Sequence, residues 1–377
     1  MGSVSRVTHS SGERIWQARW RDPAGRQRAK NFDRKIDSER YLLAIENDKL
    51  RGLYTDPRLA KTPLVEWMAE YRATRVNLGL QTQARDEATI RNHVLPKFGD
   101  WAIGSIQPIH VAQWVAELDA RGYAAATVRK AYQLLAAALD AAVESGVIGR
   151  SPSRGVKLPK LEGKSGIRFL DAPEVNALAE AIDVRYSAMV LTAAYTGLRF
   201  SELRALRVDG FDALRRTIRV IESLVESGGA FYFEEPKSEA SRRTVRVPSF
   251  LVEILARHLA MHADGSGLVF SAPNGGPIRR GNFRRRVWLP AVEASVGQPC
   301  TFHDLRHSHA ALLIAQGEHP KVIQERLGHA SIKTTLDTYG HLFEGLDEAA
   351  ADRLEVTYFA SPVSRQEAAS LAAVSSE

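Results

Sequence analysis

The sequence has little that would support a disulfide bond, a cysteine-based metal site or a membrane span. Cys300 is the only cysteine in 377 residues, so the chain has neither an internal disulfide nor a cysteine metal cluster. No apolar run approaches the length of a transmembrane helix. The first residues, Met1 to Ser11, lack the apolar segment of a signal peptide. These absences predict a cytoplasmic protein with no membrane partner and no bound metal.

A nucleotide-binding loop is also missing. Gly163-Lys164-Ser165 is similar to the end of a phosphate-binding loop, but that motif needs glycine where the chain has Leu158, and it must join a strand to a helix. The surrounding prolines and basic side chains instead predict an irregular linker over residues 151–167. We therefore expect no cofactor, and any bond-breaking reaction must conserve its own bond energy.

What the sequence does have is an excess of positive charge. Lys and Arg number 51 against 44 for Asp and Glu, which gives a net charge of +7. Such an excess suits a polyanionic partner such as nucleic acid. The length also exceeds that of one ordinary core, which predicts two or three domains.

Residues 1–60 predict a small β-β-β-α unit. Apolar and polar side chains alternate around Trp16 and Trp20, which is the period of a strand. A helix is expected from Asp37, as N-cap, to Gly52. Its apolar stripe would consist of Tyr41, Leu42, Ile45 and Leu50. The polar sheet face is either simply solvated or binds DNA, and the residues predicted for DNA contact are Arg19, Arg21, Arg26, Arg28 and Lys30.

Residues 61–150 predict a bundle of about four helices. Apolar side chains recur at helical spacing, one helix starts at Pro108 and the longest stops at Gly146. Trp67, Trp101 and Trp114 are expected in its core rather than against DNA bases. Further DNA contacts are predicted in this bundle and the linker, at Arg129, Lys130, Lys157, Lys160 and Lys164.

Residues 168–346 predict a mixed, mainly helical domain with a small antiparallel sheet. Asp171 and Glu174 form a capping-box pattern at a helix start. The strand-like stretches are 217–221, 230–233 and 244–247. Later helices are expected over 249–263, 281–293, 303–316 and 319–327. Residues 347–377 would form a C-terminal helix and a mobile tail beyond about Pro362. The predicted fold class is thus α+β and multidomain.

Three short motifs in this domain carry unusual polar residues. The first is Thr196-Gly-Leu-Arg-Phe-Ser-Glu-Leu203, with an arginine just past a helix break. The second is His303-Asp-Leu-Arg-His307, in which a helix places His303 and Arg306 on one face. The third is Leu327-Gly-His-Ala-Ser331, and Tyr339 follows ten residues after His329.

In this order and spacing the motifs resemble the tyrosine recombinase (phage integrase) family. The resemblance assigns the catalytic roles to Arg199, Lys237, His303, Arg306, His329 and Tyr339. Planar guanidinium groups suit the charge that develops on a phosphodiester under attack, and a phenol nucleophile stores the broken bond as phosphotyrosine.

The same resemblance implies individual roles. Lys237 would be the general acid, in a turn between two strands, although a solvated hairpin lysine is the alternative. His303 would be the base or orienting group at Tyr339, and His329 a second phosphate donor. Glu202 would orient Arg199, and Arg243 is a further expected DNA contact. His307 and His309 could suggest a metal site with His303, but no acidic cluster joins them, so helix-surface or DNA-facing roles are favoured.

The order of domains extends the resemblance to the whole chain. Residues 1–60 resemble the AP2-like arm-type DNA-binding domain of phage integrases, residues 61–150 their SAM-like core-binding domain, and residues 168–346 their catalytic domain. This implies an integrase on DNA in a bacterial cell, with core-type and arm-type sites, a tetramer of the chain, and an excision or directionality factor as partners. The alternatives are a type IB topoisomerase and a non-catalytic DNA-binding regulator on the same fold.

Overall fold

The chain divides into two compact units, Met1–Lys164 and Ser165–Glu377. Their boundary falls inside the predicted linker, and the further division of the first unit into 1–60 and 61–150 stays a prediction. No helix among the described residues is long and apolar enough to cross a membrane. The computed structural model describes residues 2–8, 14–22, 25–50, 54–76, 78–161, 167–236, 238–343 and 346–360.

The first unit combines an antiparallel sheet, in the order β1-β2-β3, with six α-helices. Its strands are β1 (Ser3–Thr8), β2 (Arg14–Arg21) and β3 (Gln27–Phe32). Its helices are α1 (Lys35–Leu50), α2 (Leu64–Thr74), α3 (Leu80–Thr89), α4 (Leu95–Phe98), α5 (Pro108–Ala120) and α6 (Ala125–Glu144). Short 3₁₀ turns lie at Leu59–Lys61 and Ile103–Ser105, and a π-helical turn, Ile90–Val94, joins α3 to α4.

The register of β2 and β3 divides the basic side chains of the sheet between its two faces. Trp20 lies opposite Arg28 and Ala18 opposite Lys30, and residues directly opposite each other share a face. Trp20 and Ala18 are buried, and Lys30 Nζ lies 4.3 Å from the ring centroid of Tyr41 on α1. The five basic residues predicted for DNA contact therefore do not share one face of the sheet, because Arg28 and Lys30 lie on the face against which α1 packs.

Two details of α1 differ from the sequence prediction. The helix begins at Lys35, so Asp37 is not its N-cap but lies in its first turn. A carboxylate there interacts favourably with the helix dipole. Leu50 is 87% exposed and does not belong to the buried stripe. Ile45 is buried as expected.

The helices α2 to α6 enclose one hydrophobic core. Trp67 and Trp114 are buried in it, which confirms their predicted place, and Trp67 Nε1 donates to the Ala138 carbonyl over 2.7 Å. Trp101 packs at its edge. The polar helix α3 was not anticipated because its inward side chain is Asp86, which forms ion pairs with Arg75 and Lys130.

The second unit is mainly helical. Its helices are α7 (Ala172–Ala181), α8 (Val184–Thr196), α9 (Phe200–Ala205), α10 (Ser249–His262), α11 (Arg280–Phe283), α12 (Leu289–Ser295), α13 (Asp304–Ala315), α14 (Pro320–Leu327), α15 (Ile332–Tyr339) and α16 (Leu346–Ala360). Its strands are β4 (Phe211–Asp212), β5 (Thr217–Val220), β6 (Ser223–Ser227), β7 (Ala230–Glu234) and β8 (Arg243–Arg246). A π-helical turn, Arg284–Trp288, joins α11 to α12, and 3₁₀ turns lie at Val208–Gly210, Glu239–Ser241 and Gly340–Phe343. The capping box of α7 is confirmed, since Glu174 N donates to Asp171 Oδ1 over 2.8 Å.

The strands of this unit form two antiparallel sheets where one was expected. One has the order β4-β5-β8 and the other pairs β6 with β7. Because β7 and β8 belong to different sheets, the segment between them connects two sheets and is not a hairpin. Lys237, which was predicted in this segment, lies outside the described residues, as do Lys164 and the tail beyond residue 360.

Candidate active site

The break between α8 and α9 positions Arg199. Helix α8 ends at Thr196, and Gly197 adopts a left-handed conformation with φ of 68°. A Cβ at Gly197 would lie only 2.7 Å from side-chain atoms of His309 and Leu327, so glycine is required there. Arg199 then occupies the N-cap of α9.

Glu202, on the first turn of α9, holds Arg199 in two ways. It accepts hydrogen bonds from Arg199 N over 2.8 Å and from Arg199 Nη1 over 2.7 Å. Arg243 at the start of β8 binds the same carboxylate through Nη1 and Nη2, over 3.1 and 2.9 Å. Burial alone would raise the pKa of Glu202, but the contacts with Arg243 and then Arg199 outweigh it and leave the pKa lowered. Glu202 is therefore ionised, as its predicted orienting role requires.

Arg306 on α13 is held by main-chain oxygens. Its Nη1 donates to the Gly197 carbonyl over 2.6 Å and its Nη2 to the Leu327 carbonyl over 2.7 Å. Arg199 Nη2 donates to the neighbouring Gly328 carbonyl over 3.2 Å. Burial, together with the charge of Arg199, lowers the pKa of Arg306 to about 9. These carbonyls end α8 and α14, where the helix dipole favours a cation.

The site carries a net positive charge. Three guanidinium groups, those of Arg199, Arg243 and Arg306, surround the carboxylate of Glu202. A site of this composition suits an anion with oxygens to share between planar donors, such as a phosphodiester.

Tyr339 ends α15 and packs among apolar side chains. It is 1% exposed and belongs to a small cluster with Ala310, Ile314, Ile323 and Leu327. Burial raises the pKa of its phenol to about 12, although Arg306 and Arg199 act in the opposite direction. The phenol is therefore protonated at neutral pH, within electrostatic reach of both guanidinium groups.

The histidine at the Tyr339 hydroxyl is His307. Its Nδ1 lies 2.8 Å from Tyr339 Oη, while the His303 ring packs edge-on against the His307 ring at 4.8 Å between centroids. The predicted contact of His303, as base or orienting group, with Tyr339 is corrected accordingly, and so is the surface or DNA-facing role favoured for His307. His303 is the N-cap of α13 and His307 lies four residues further, so the two rings share one side of the helix.

His303 and His329 are neutral at neutral pH. Desolvation, followed by His307 and the arginines, lowers the pKa of His303 to about 4. Burial and the neighbouring arginines lower the pKa of His329 to about 4 as well. His329 Nδ1 lies 2.9 Å from Thr335 Oγ1, which fixes its ring plane. Each ring can therefore act as a neutral hydrogen-bonding group beside the arginines.

No group of three or more His, Cys, Asp or Glu side chains in the described part of the chain is placed to hold a metal ion.

Several basic residues predicted to contact DNA form ion pairs or hydrogen bonds with other residues of the protein. Arg243 as a DNA contact is wrong, because its side chain is 7% exposed and pairs with Glu202. Arg28 pairs with Asp22 and Asp56, and Lys130 with the buried Asp86. Arg129 donates to the Pro159 carbonyl over 2.9 Å. DNA contact stays a prediction for the exposed residues Arg19, Arg21, Arg26, Lys30, Lys157 and Lys160.

Family models match two parts of the chain. The model of the "Phage integrase family" matches residues 168–345, and that of the "Phage integrase, N-terminal SAM-like domain" matches residues 64–118. The chain belongs to the phage integrase family of tyrosine recombinases. The first match contains every described residue of the site, from Arg199 to Tyr339.

Several named integrases match this chain over most of its length and most of their own. A protein of prophage phiRv2 of Mycobacterium tuberculosis, named as an integrase, is 28% identical over 347 residues, which are 89% of this chain and 91% of that protein. The Tn1549 transposon integrase in complex with transposon right-end DNA matches with a TM-score of 0.67 at 22% identity, over 78% of this chain and 100% of that one. A lambda integrase tetramer bound to a Holliday junction matches with a TM-score of 0.57 at 18% identity, over 86% and 95%. The predicted α+β fold, with a helical bundle before the mixed catalytic unit, is confirmed.

Proposed function

We propose that the chain is a site-specific DNA recombinase that integrates a phage or another mobile element, with Tyr339 as its nucleophile. The observation that carries this proposal is the protonated phenol of Tyr339 within reach of two guanidinium groups, Arg199 and Arg306. Tyr339 Oη attacks the phosphorus of a DNA strand, forms a 3′-phosphotyrosine link and releases a 5′ oxygen. Attack by a 5′ hydroxyl on that link reverses the step and rejoins the strand.

Each residue of the site has a role in this scheme. Arg199 and Arg306 bind the non-bridging oxygens as charge develops on them, and Glu202 holds Arg199 in place. His329 is a further donor to the phosphate. Lys237 is assigned as the acid that protonates the leaving 5′ oxygen, on the strength of the family's motif order.

The proposed partners are double-stranded DNA and further copies of the chain. The Tn1549 and lambda proteins in the matching structures are bound to DNA, and the lambda protein forms a tetramer on a Holliday junction. We assign core-type DNA to the bundle and the catalytic unit, and arm-type DNA to residues 1–60. An excision or directionality factor is a further proposed partner. The protein would act on DNA in the bacterial cytoplasm.

Trapping on a nicked duplex tests the function. The duplex carries the junction sequences that flank the gene, and the nick lets the cleaved end diffuse away so that the covalent complex accumulates. We expect a protein–DNA band on a denaturing gel, with Tyr339 as the modified residue by mass spectrometry. Tyr339→Phe should bind the duplex but form no band, while Tyr186→Phe, which removes another buried phenol of the same unit, should form it normally.

Trapping and a plasmid relaxation assay together separate the two alternatives from the proposed function. A type IB topoisomerase would relax supercoiled plasmid that lacks the junction sequences. A non-catalytic regulator would bind the duplex and leave no covalent band. An adduct that persists in Tyr339→Phe would remove Tyr339 as the nucleophile.

A further inference from the structure

We propose that His307 is the catalytic base of the strand-cleavage step: it takes the proton of Tyr339 and returns it when the strand is rejoined. This inference rests on the proposed function and deepens it. It assigns the proton transfer to a side chain outside the six residues that the family motif supplies.

The first argument is the position of His307 relative to the nucleophile. Its Nδ1 lies 2.8 Å from Tyr339 Oη, which is within hydrogen-bond distance, and the two rings are 5.7 Å apart at an angle of 61°. A base must lie within such reach of the proton that it removes. In this arrangement the phenol donates its proton towards Nδ1 when that nitrogen carries none.

The second argument is the burial of Tyr339. The side chain is 1% exposed and packs in the apolar cluster formed by α13, α14 and α15. Bulk water is therefore a poor acceptor for the phenol proton, and a protein group must take it. Because the phenol holds its proton at neutral pH, a base must take that proton before or during the attack on phosphorus.

The other histidines of the site have different partners. His329 Nδ1 lies against Thr335 Oγ1, and His309 is bound between the Ala194 carbonyl and Arg326 Nε. His303 packs with its ring perpendicular to that of His307. His303 is therefore a positioning residue that acts through His307, which explains how both histidines of the motif serve one nucleophile.

The proton and the bonds balance without a further reactant. During cleavage the O–H bond of Tyr339 breaks, its proton moves to His307 Nδ1, the bond from Oη to phosphorus forms, and the bond to the 5′ oxygen breaks with a proton supplied by the acid. During rejoining, the 5′ hydroxyl attacks, the acid recovers its proton, and His307 returns its own to the departing phenol oxygen.

The test separates the nucleophile side of the reaction from the leaving-group side. Single-turnover cleavage is measured on a normal duplex and on one with sulfur in place of the bridging 5′ oxygen, since a thiolate leaves without protonation. We expect His307→Ala to lose about 10²-fold or more in rate on both substrates, as for removal of a general base. A defect of the leaving-group side would disappear on the sulfur substrate.

A second variant distinguishes proton transfer from simple positioning. His307→Gln keeps a hydrogen-bond acceptor near the phenol but takes no proton, so it should be as slow as His307→Ala. His341→Ala removes an exposed histidine just beyond Tyr339 and should cleave normally. Mobility shifts on the same duplex confirm that each variant is folded and binds DNA.

The outcomes also separate this inference from the proposed function. Normal cleavage by His307→Gln, full recovery of His307→Ala on the sulfur substrate, or faster cleavage by either variant would each overturn the role of His307 while leaving Tyr339 as nucleophile. Absence of any adduct with the unmodified chain would instead overturn the proposed function itself.

Discussion

Arg243 binds Glu202 through both terminal nitrogens of its guanidinium group, and Glu202 in turn binds Arg199. Arg243 Nε also donates to the Arg326 carbonyl in the last turn of α14 over 2.7 Å. One buried side chain thus ties the start of β8 to α9 and α14, which both contribute to the anion site. Arg243 is a positioning residue for Arg199, which acts through the carboxylate between them.

Replacement of Arg243 by lysine should slow strand cleavage by at least about tenfold, because lysine keeps the charge but cannot make the forked contact that fixes Glu202 and Arg199. The duplex should still be bound, so the loss should appear in the single-turnover rate at saturating protein. Arg242→Lys is the matched control, since Arg242 is the neighbouring residue and is about half exposed. Equal rates for the two variants would refute the positioning role.

Replacement of Arg199 or Arg306 by lysine should each reduce cleavage by about 10²-fold or more, as for the loss of one transition-state donor. A lysine ammonium cannot hold two phosphate oxygens in the plane of a guanidinium group. Arg306→Lys should also lower thermal stability, because Arg306 binds the Gly197 and Leu327 carbonyls. The adduct band measured over time gives the rates. Near-normal cleavage by either variant would contradict the binding of the non-bridging phosphate oxygens by that arginine.

The stability of the catalytic unit should decrease in acid through Glu202. Its pKa is lower in the folded protein than the usual 4.5, so its contribution is full above the unfolded pKa and is lost as the pH falls through the folded value. The free energy of unfolding should therefore fall from about pH 6 to about pH 3, and less steeply in Glu202→Gln. Urea unfolding over this range measures both slopes. Glu253→Gln, an exposed carboxylate on α10, should keep the slope of the parent, and the same slope in Glu202→Gln would contradict the prediction.

The exposed face of the N-terminal sheet should bind arm-type DNA. Arg19 and Arg21 lie on the face opposite α1. The double change to alanine should therefore weaken binding to arm fragments and reduce the slope of log affinity against log salt concentration by about two. Binding to core fragments should be unchanged. Lys35→Ala, an exposed lysine at the start of α1 that is not among the predicted DNA contacts, is the control. Mobility shifts on both fragments at several salt concentrations measure this, and unaltered arm binding by the double variant would mean that these charges only keep the sheet solvated.

The sequence alone was enough to find the residues of the site but not all of their contacts. Arg199, Arg306 and Tyr339 were recognised from motif order, and the structure brings them together. His307 was misjudged because its partner, Tyr339, follows 32 residues later and their contact depends on the packing of α13 against α15. Arg243 looked like a surface cation because nothing local in the sequence shows that a strand residue faces a buried carboxylate on α9. The sequence did not show that Arg28 and Lys30 lie on the other face from Arg19 and Arg21, because that depends on the register of β3 with β2.

The oxygens that hold the two catalytic arginines belong largely to the backbone at the ends of α8 and α14. A main-chain carbonyl is the same whichever side chain its residue bears, so the position of these oxygens depends on the course of the backbone, which the left-handed turns at Gly197 and Gly328 set. An arrangement built in this way survives extensive divergence of the polypeptide that carries it.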